Sequence, residues 1–420
     1  MKIGIIGAGA AGLCAAKNGI EFGCEVTVFE QTNDIGGTWV YKDQVGKDEN
    51  GLDIHTSMYQ GLYTNLPKEI MGYPDFPFTE QEDSYISSDE VFNYYKSYAD
   101  KFGLRKFVKF EHFVVRVRPL LDESWEMIVK NLSSGKYETF IFDIVLVCNG
   151  HYWSPFIPKL KGQSNFEGKQ MHTHDYRKPE AFLNEKVLVV GAGPSGTDCV
   201  IEISKFAKQV TWSHHVESLA VTHFGDNVNQ KPDIKEIRKN EVVFVDGSLQ
   251  ECSVIIYATG YRYTFPFLSV DCGIACDGYN VQPLFQNCLN INRPTMAIIG
   301  IPNYILSNQM CDLQSRFVLT FMTGRKQLPT KDEMMADLEK DIAERRERGF
   351  GLKKLHYMGV GVHEKYYAEM ARIAEVDPIK PVMTKIFAKG LCSLLHNSQN
   401  FRNDIFKVID DENFVMTKKK

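Results

Sequence analysis

The sequence of 420 residues lacks three things: a C-x-x-C spacing among its ten cysteines, an apolar run of membrane-spanning length, and an excess of basic residues. The first absence removes a local zinc ribbon and a dithiol redox pair, which need their thiols written close together. The nearest cysteines, Cys272 and Cys276, have no further ligands beside them, so all ten are expected as buried or free thiols in a reducing compartment. The second removes a spanning helix, which needs about 18 apolar residues, because runs such as Val187-Leu-Val-Val are of strand length. No signal peptide is expected, since Ile3-Gly4-Ile5-Ile6 leads straight into a glycine motif. A cytoplasmic chain without a membrane anchor is the default, and the Asn131-Leu-Ser133 sequon matters only in a secreted context. The third, 48 Lys+Arg against 53 Asp+Glu for a net charge of −5, removes the electrostatic footprint of a nucleic-acid binder. With 44% hydrophobic and 24% charged residues the chain is no disordered segment, and its length allows two or three domains.

What is present is one pattern written twice. Ile3-Gly-Ile-Ile-Gly7-Ala8-Gly9-Ala10-Ala11-Gly12 precedes a small-residue helix and then Glu25-Val-Thr-Val-Phe-Glu30. Val187-Leu-Val-Val-Gly191-Ala-Gly193-Pro194-Ser195-Gly196-Thr197 precedes a second helix and then Gln209-Val-Thr-Trp-Ser213-His214-His215, with Gly191 lying 184 positions after Gly7. Each is a βαβ unit, so the expected fold class is α/β with two Rossmann-like dinucleotide-binding domains. Expected boundaries are 1–178 plus 291–420 for the larger domain and 179–290 for the smaller, inserted one. The polar stretch Arg177-Lys178-Pro179 is taken as the link. Val254-Ile-Ile-Tyr closes the inserted domain and Met296-Ala-Ile-Ile returns to the first. Residues 330–349 read as a solvated surface helix, and 380–420 carry no usable motif.

In the first turn, Gly7 permits the tight bend, Gly9 the approach of a pyrophosphate and Gly12 the close contact of helix and strand. Glu30, 18 residues after Gly12, is placed to accept from an adenosine ribose and to repel a 2′-phosphate, which favours FAD or NAD. The bland alternative is a glycine turn with a surface Glu. In the second unit His214 occupies the place of Glu30, and Ser213, His214 and His215 offer donors where no acid stands, so NADPH is the better match. Two adjacent histidines at a strand end are also ordinary surface residues. Gly36-Gly37-Thr38-Trp39 fits the flavin side, with backbone free to face a cofactor and an aromatic to pack beside it.

Between the two units lies Phe166-x-Gly168-x-x-x-His172-x-x-x-Tyr176. It resembles the fingerprint of the class B flavoprotein monooxygenases, and its final Tyr resembles the flavin-containing monooxygenase branch. Leu62-Tyr-Thr64-Asn65-Leu-Pro-Lys-Glu69, Tyr73-Pro-Asp-Phe-Pro-Phe78, Ala258-Thr259-Gly260-Tyr261, Leu313-Gln314-Ser315-Arg316 and Leu328-Pro-Thr330 resemble further segments of that family. The resemblance implies FAD and NADPH as cofactors, with dioxygen added at flavin C4a and one oxygen atom passed from the hydroperoxide to a small soft nucleophile. It implies Asn65 as the catalytic residue beside the flavin edge, with Thr64 next to it. It also implies Gln314 at a helix start near the flavin pyrimidine, Val114 on a strand touching the adenine, and Thr259 in the hinge, while His172 is expected to link domains. The family often carries Arg or Lys near His215, which is missing here. The length resembles the soluble insect branch, which includes pyrrolizidine-alkaloid N-oxygenases, so the expected substrate is a tertiary amine alkaloid such as senecionine, or a thioether. An NADPH oxidase releasing hydrogen peroxide and a redox-sensing nucleotide-binding protein are the alternatives, and homo-oligomerisation is left open.

Overall fold

The computed structural model describes residues 1–216, 219 and 222–419. Two parallel sheets organise them. The first has seven strands in the spatial order Leu284–Phe285, Leu289–Asn290, Met296–Ile298, Ile144–Val147, Lys2–Ile6, Glu25–Phe29 and Val108–Lys109. Its pairings are parallel from Met296–Ile298 onward, and the first two strands join antiparallel. Both faces are covered, which explains the near-continuous apolar runs. Ile3, Ile5, Val26, Val28, Ile144 and Leu146 pack under helices, whereas Ile6, Phe29, Val145 and Val147 pack against Val114, Val117, Trp125, Met127 and Val129. The latter come from an antiparallel meander, His112–Pro119, Trp125–Asn131 and Tyr137–Phe142.

The second sheet repeats the plan with five parallel strands in the order Val228–Lys231, Gln209–Ser213, Lys186–Val190, Val254–Tyr257 and Lys169–His172. The helix Pro194–Ile203 lies on the face of Val187, Val189, Val210, Trp212 and Ile256. Leu188, Ile255 and Tyr257 meet a second meander through Ile237, Val242 and Phe244.

Sheet membership moves both expected boundaries. Lys169–His172 pairs with Val254–Tyr257, so the second unit takes in residues ahead of 178, and 284–290 belong to the first sheet, ahead of 291. The stretch read as a link is in part a buried staple. The Arg177 guanidinium donates to the carbonyls of Lys42, Gln44, Thr56, His174 and Tyr176. Such pairings are long-range, and a local change of composition does not report them.

The helix Ala10–Glu21 presents Gly12, Ala15, Ala16 and Gly19 as buried small residues, and a Cβ on Gly19 would stand 2.9 Å from Val26 Cγ2. It stops at Phe22-Gly23, where Gly23 takes φ +79°. Across it lies the helix Ser307–Met322, with Asn18 Nδ2 donating to Asp312 Oδ1 at 2.9 Å. The helix expected on the surface spans Lys331–Glu347 behind a Thr330–Glu333 capping box. It buries Met334 and Arg345, so it is docked rather than solvated all round. The C-terminal stretch without a motif forms the helix Pro381–His396 and the hairpin Asp404–Val408/Phe414–Lys418. Among the described residues no helix is long and apolar enough to cross a membrane.

Gly168 shows why the central fingerprint needs a glycine. A Cβ there would lie 2.3 Å from the Ser253 carbonyl oxygen and 2.6 Å from the Phe166 ring, at the entry to Lys169–His172. Gly168→Ala is expected to destabilise the protein by about 1–3 kcal/mol, the usual cost of overpacking. An unchanged thermal midpoint in the purified variant would show that this edge strand shifts freely.

Candidate active site

The first glycine turn sits where the strand Lys2–Ile6 ends beside the end of Ile144–Val147. A Cβ on Gly12 would be 1.8 Å from the Gly7 carbonyl oxygen, and one on Gly7 (φ +99°) 2.6 Å from that of Cys148. Gly9 caps the helix with no side-chain bond, which leaves the first-turn N–H groups of Ala10 and Ala11 facing outward. Gly36 (φ +112°) and Gly37 (φ +57°) bring the following loop onto this turn, with Gly36 N–H donating to Ala8 O at 3.0 Å. A Cβ on Gly37 would touch Gly9 Cα at 3.0 Å. Beside them Trp39 is half-buried, and Thr38 Oγ1 is buried with no partner among the described residues.

Glu30 is buried, and its carboxylate accepts from Ala8 N–H (2.9 Å), Thr32 N–H (2.9 Å) and Thr32 Oγ1 (2.8 Å). A carboxylate has about four acceptor positions, so a ribose hydroxyl has room for one more bond. The Glu30 carbonyl meanwhile accepts from His112 N–H at 2.9 Å, which brings the strand bearing the buried Val114 alongside. These residues fit a dinucleotide: a cradle free of side chains, uncapped N–H groups and an acid at the ribose distance.

The second turn reproduces the first. Gly191 N–H donates to Ser213 O at 2.9 Å as Gly7 N–H does to Phe29 O at 2.8 Å, so His214 does stand where Glu30 stands. Gly193 caps its helix without a side-chain bond, Pro194 opens it, Ser195 is exposed, and a Cβ on Gly196 would be 2.3 Å from the Gly191 oxygen. Thr197 is buried, its hydroxyl turned back to the Gly193 carbonyl.

The expected phosphate donors of this unit are corrected. Ser213 Oγ donates to the Pro232 carbonyl at 2.8 Å. His214 accepts at Nδ1 from Val216 N–H and donates from Nε2 to Gln230 Oε1 at 2.8 Å, and burial lowers its pKa. Both side chains are turned inward and His214 is held neutral. His215 alone is exposed, 3.2 Å from Asp233 Oδ1. Thr259 likewise serves the fold, its hydroxyl donating to Phe156 O at 2.5 Å.

Gln314 is the clearest displacement. It lies in the middle of Ser307–Met322, fully buried, with Oε1 accepting from Gly300 N–H (2.8 Å) and Nε2 donating to Tyr366 OH (2.7 Å). The start of that helix is instead Ser307-Asn308, and Asn308 bonds Tyr95 OH and the Met71 carbonyl.

Asn65 is exposed on a fixed stem. Thr64 N–H donates to Ile86 O (2.9 Å), Thr64 Oγ1 accepts from Ile86 N–H (3.1 Å), and Thr64 O accepts from Arg402 Nε (3.1 Å). Around the junction of the two units His151 Nε2, Trp153 Nε1, His172 Nε2, His174 Nε2, Tyr176 OH and Thr264 Oγ1 are buried without partners among the described residues. Buried polar atoms of this kind are completed by ligand or ordered water. His172 Nδ1 accepts from His174 N–H at 3.0 Å and so closes the turn between strand and Tyr176. Residues the sequence reading passed over stand here too: Cys148-Asn149-Gly150 follows Ile144–Val147 as Ala258-Thr259-Gly260 follows Val254–Tyr257. A search for the strand end opposite each glycine turn finds both.

The sequence profile of the flavin-binding monooxygenase-like family matches residues 1–227 and 218–391. The chain is 34% identical to the senecionine N-oxygenase of Tyria jacobaeae over 98% of this chain and 91% of that protein. It is also 34% identical to the flavin-containing monooxygenase FMO GS-OX3 of Arabidopsis thaliana over 96% and 90%. Among solved structures, S-allyl-L-cysteine S-oxygenase from Allium sativum superposes with a TM-score of 0.90 at 32% identity, covering 96% of this chain and 94% of that one. The chain belongs to the flavin-binding monooxygenase-like family. It is an enzyme, a flavoprotein monooxygenase of mixed α/β fold that uses FAD and NADPH.

Among the histidines whose charged forms burial disfavours, His151 and His172 fall to about 4 and His356 to about 3. His356 is neutral by its bonds also, accepting at Nε2 from Val281 N–H and facing Asn287 Oδ1 through Nδ1. Below about 6.5, the ordinary histidine value, the unfolded chain binds protons that the folded one does not. Stability is therefore whole above that pH and falls as the pH drops toward 4, by up to about 1.4 kcal/mol per pH unit for each such histidine. Urea midpoints at pH 7, 6 and 5 measure it, and H356Q should flatten the slope. A midpoint rising on acidification would contradict the assignment.

Proposed function

We propose that this enzyme transfers one oxygen atom of dioxygen to a neutral nitrogen or sulfur nucleophile, with a tertiary amine as the first choice. A plant pyrrolizidine alkaloid free base such as senecionine is the leading candidate. FAD is assigned to Gly7–Gly12, Glu30, Gly36–Trp39, Thr64, Asn65 and Val114, and NADPH to Gly191–Thr197 and His215. When bound, the flavin activates dioxygen with electrons drawn from NADPH.

The observation that carries this reading is the exposed Asn65 amide on its three-point stem, beside a junction crowded with unpartnered polar atoms. An amide offers donor and acceptor together, so Asn65 can hold an oxygen in place and keep a proton on it. Dinucleotide phosphates meet uncapped helix N-termini at Gly9 and Gly193. The N-oxygenase and S-oxygenase relatives, at 34% and 32% identity, support a soft nucleophile of either element. A nitrogen needs its lone pair, so protonated amine is inert and the rate should rise with pH through the amine's own pKa.

The test is mass-spectrometric detection of N-oxide from senecionine-type free bases beside simple tertiary amines, thioethers and ketones. N-oxide from simple amines but none from the alkaloids discards the alkaloid role. Lactone or ester from ketones without any N-oxide overturns the reading, and hydrogen peroxide with every compound makes the enzyme an oxidase. In Asn65→Ala, FAD content and reduction by NADPH should persist while hydrogen peroxide replaces most of the oxygenated product. A wild-type ratio of product to NADPH would make Asn65 structural.

Coenzyme choice is assigned to His215, since His214 and Ser213 face inward. His215→Arg should raise the NADPH-over-NADH ratio of kcat/KM roughly fivefold, the equivalent of about 1 kcal/mol for an exposed charge pair. His214→Gln should change the ratio by less than about twofold. The opposite order would return the role to His214.

A further inference from the structure

The C-terminal segment, silent in sequence, reaches both glycine units through one side chain. Arg402 lies between the helix Pro381–His396 and the final hairpin, in a short turn seated by the buried Phe401 against Tyr85 at 5.1 Å. Its guanidinium donates from Nε to Thr64 O (3.1 Å) and from Nη2 to Tyr63 O (3.2 Å), the two carbonyls just before Asn65. The same Nη2 meets both oxygens of Asp198, at 3.0 and 2.9 Å. Asp198 is the fifth residue of Pro194–Ile203, the helix that opens at the second glycine turn. Its Oδ2 also accepts from Tyr59 OH at 2.5 Å, and Tyr59 packs on Tyr176, the last residue of the central fingerprint, at 5.2 Å. Three stretches of chain remote in sequence thus converge: 59–64, Asp198 and Arg402.

Two carbonyl oxygens and a carboxylate point at one place, and a cationic donor satisfies all three while compensating the carboxylate charge. A planar guanidinium does so by spreading its N–H groups between neighbours, which a lysine ammonium at the end of one stem cannot match. The side chains are 27% and 14% exposed for Arg402 and Asp198, so the pair is only partly screened by solvent. Removal of either partner leaves the other poorly compensated.

We propose that Arg402 is a positioning residue that holds the second glycine turn at a fixed distance and angle from the Asn65 stem, and so aligns the two cofactors. The proposal rests on the reading that Asn65 borders the reacting centre. A displacement of about an ångström between two bound reactants is enough to cost large factors in rate, and here one ion pair with two carbonyl bonds spans the gap.

The test is an equilibrium titration of the FAD-loaded enzyme with NADP⁺, together with product and hydrogen peroxide formed per NADPH, in R402M, R402K, D198N and R402M/D198N. FAD content should be unchanged. R402M and D198N should each weaken NADP⁺ binding about tenfold, within the usual range for coupled neighbours, and divert NADPH to hydrogen peroxide. The double variant should be no worse than the worse single one. R402K, which restores charge but not the fork, should regain only part of the affinity. If R402M does not fold, R402K and D198N carry the same comparison. Wild-type NADP⁺ affinity and product yield in R402M, or losses that simply add in the double variant, would overturn the proposal. N65A separates the two readings, because it should uncouple product formation without weakening NADP⁺. If N65A is silent while R402M and D198N still weaken NADP⁺, the role of Asn65 fails and the clamp stands; the reverse pattern removes the clamp alone.

Discussion

The whole structure depends on two places where main chain meets main chain with no side chain between them. At one, the Gly12 Cα faces the Gly7 carbonyl so closely that a methyl group would sit 1.8 Å from the oxygen; at the other, Gly196 meets Gly191 at 2.3 Å. The same turns press sideways, Gly7 on the Cys148 carbonyl and Gly191 on that of Ala258. Each contact therefore fixes three things together: the strand that ends, the helix that begins and the neighbouring strand that also ends there. The crevice beyond the carboxyl ends of adjoining parallel strands is where doubly wound sheets bind their ligands. Both units build that crevice with the same parts, and the fingerprint strand Lys169–His172 is the first strand of the second sheet that the chain forms after leaving the first.

How much of this was legible follows from the range of each interaction. The glycine turns, the βαβ units and the substitution of His214 for Glu30 are local patterns, and the matching bonds Gly7–Phe29 and Gly191–Ser213 show the alignment to be correct. Side-chain direction was not legible. Ser213 and His214 hold the right positions, yet Pro232 and Gln230, which turn them inward, sit 16 or more residues later. Gln314 was misplaced because a motif carries no information on where a helix begins; the first turn of Ser307–Met322 lies seven residues upstream. The domain edges failed because edge strands choose their sheet by remote pairing. Arg402 was unreadable for the same reason, since its partners lie 204 and 338 positions away.

The electrostatics of the junction follow from the same economy of side chains. A chain of net charge −5 must hold two cofactors that each bring a pyrophosphate. Two arginines at the junction are already engaged, Arg177 with five carbonyls and Arg402 with Asp198 and two more. His172 and His214 are kept neutral by burial, their Nδ1 atoms occupied by backbone N–H donors. On the proposed assignment, anion recognition then falls to the uncapped helix starts at Gly9 and Gly193, whose partial positive charge is fixed in direction and needs no side chain to be ordered. That arrangement places little mobile charge near the reacting centre. On the proposed function, selection among neutral amines and thioethers would then rest on access and shape more than on charge.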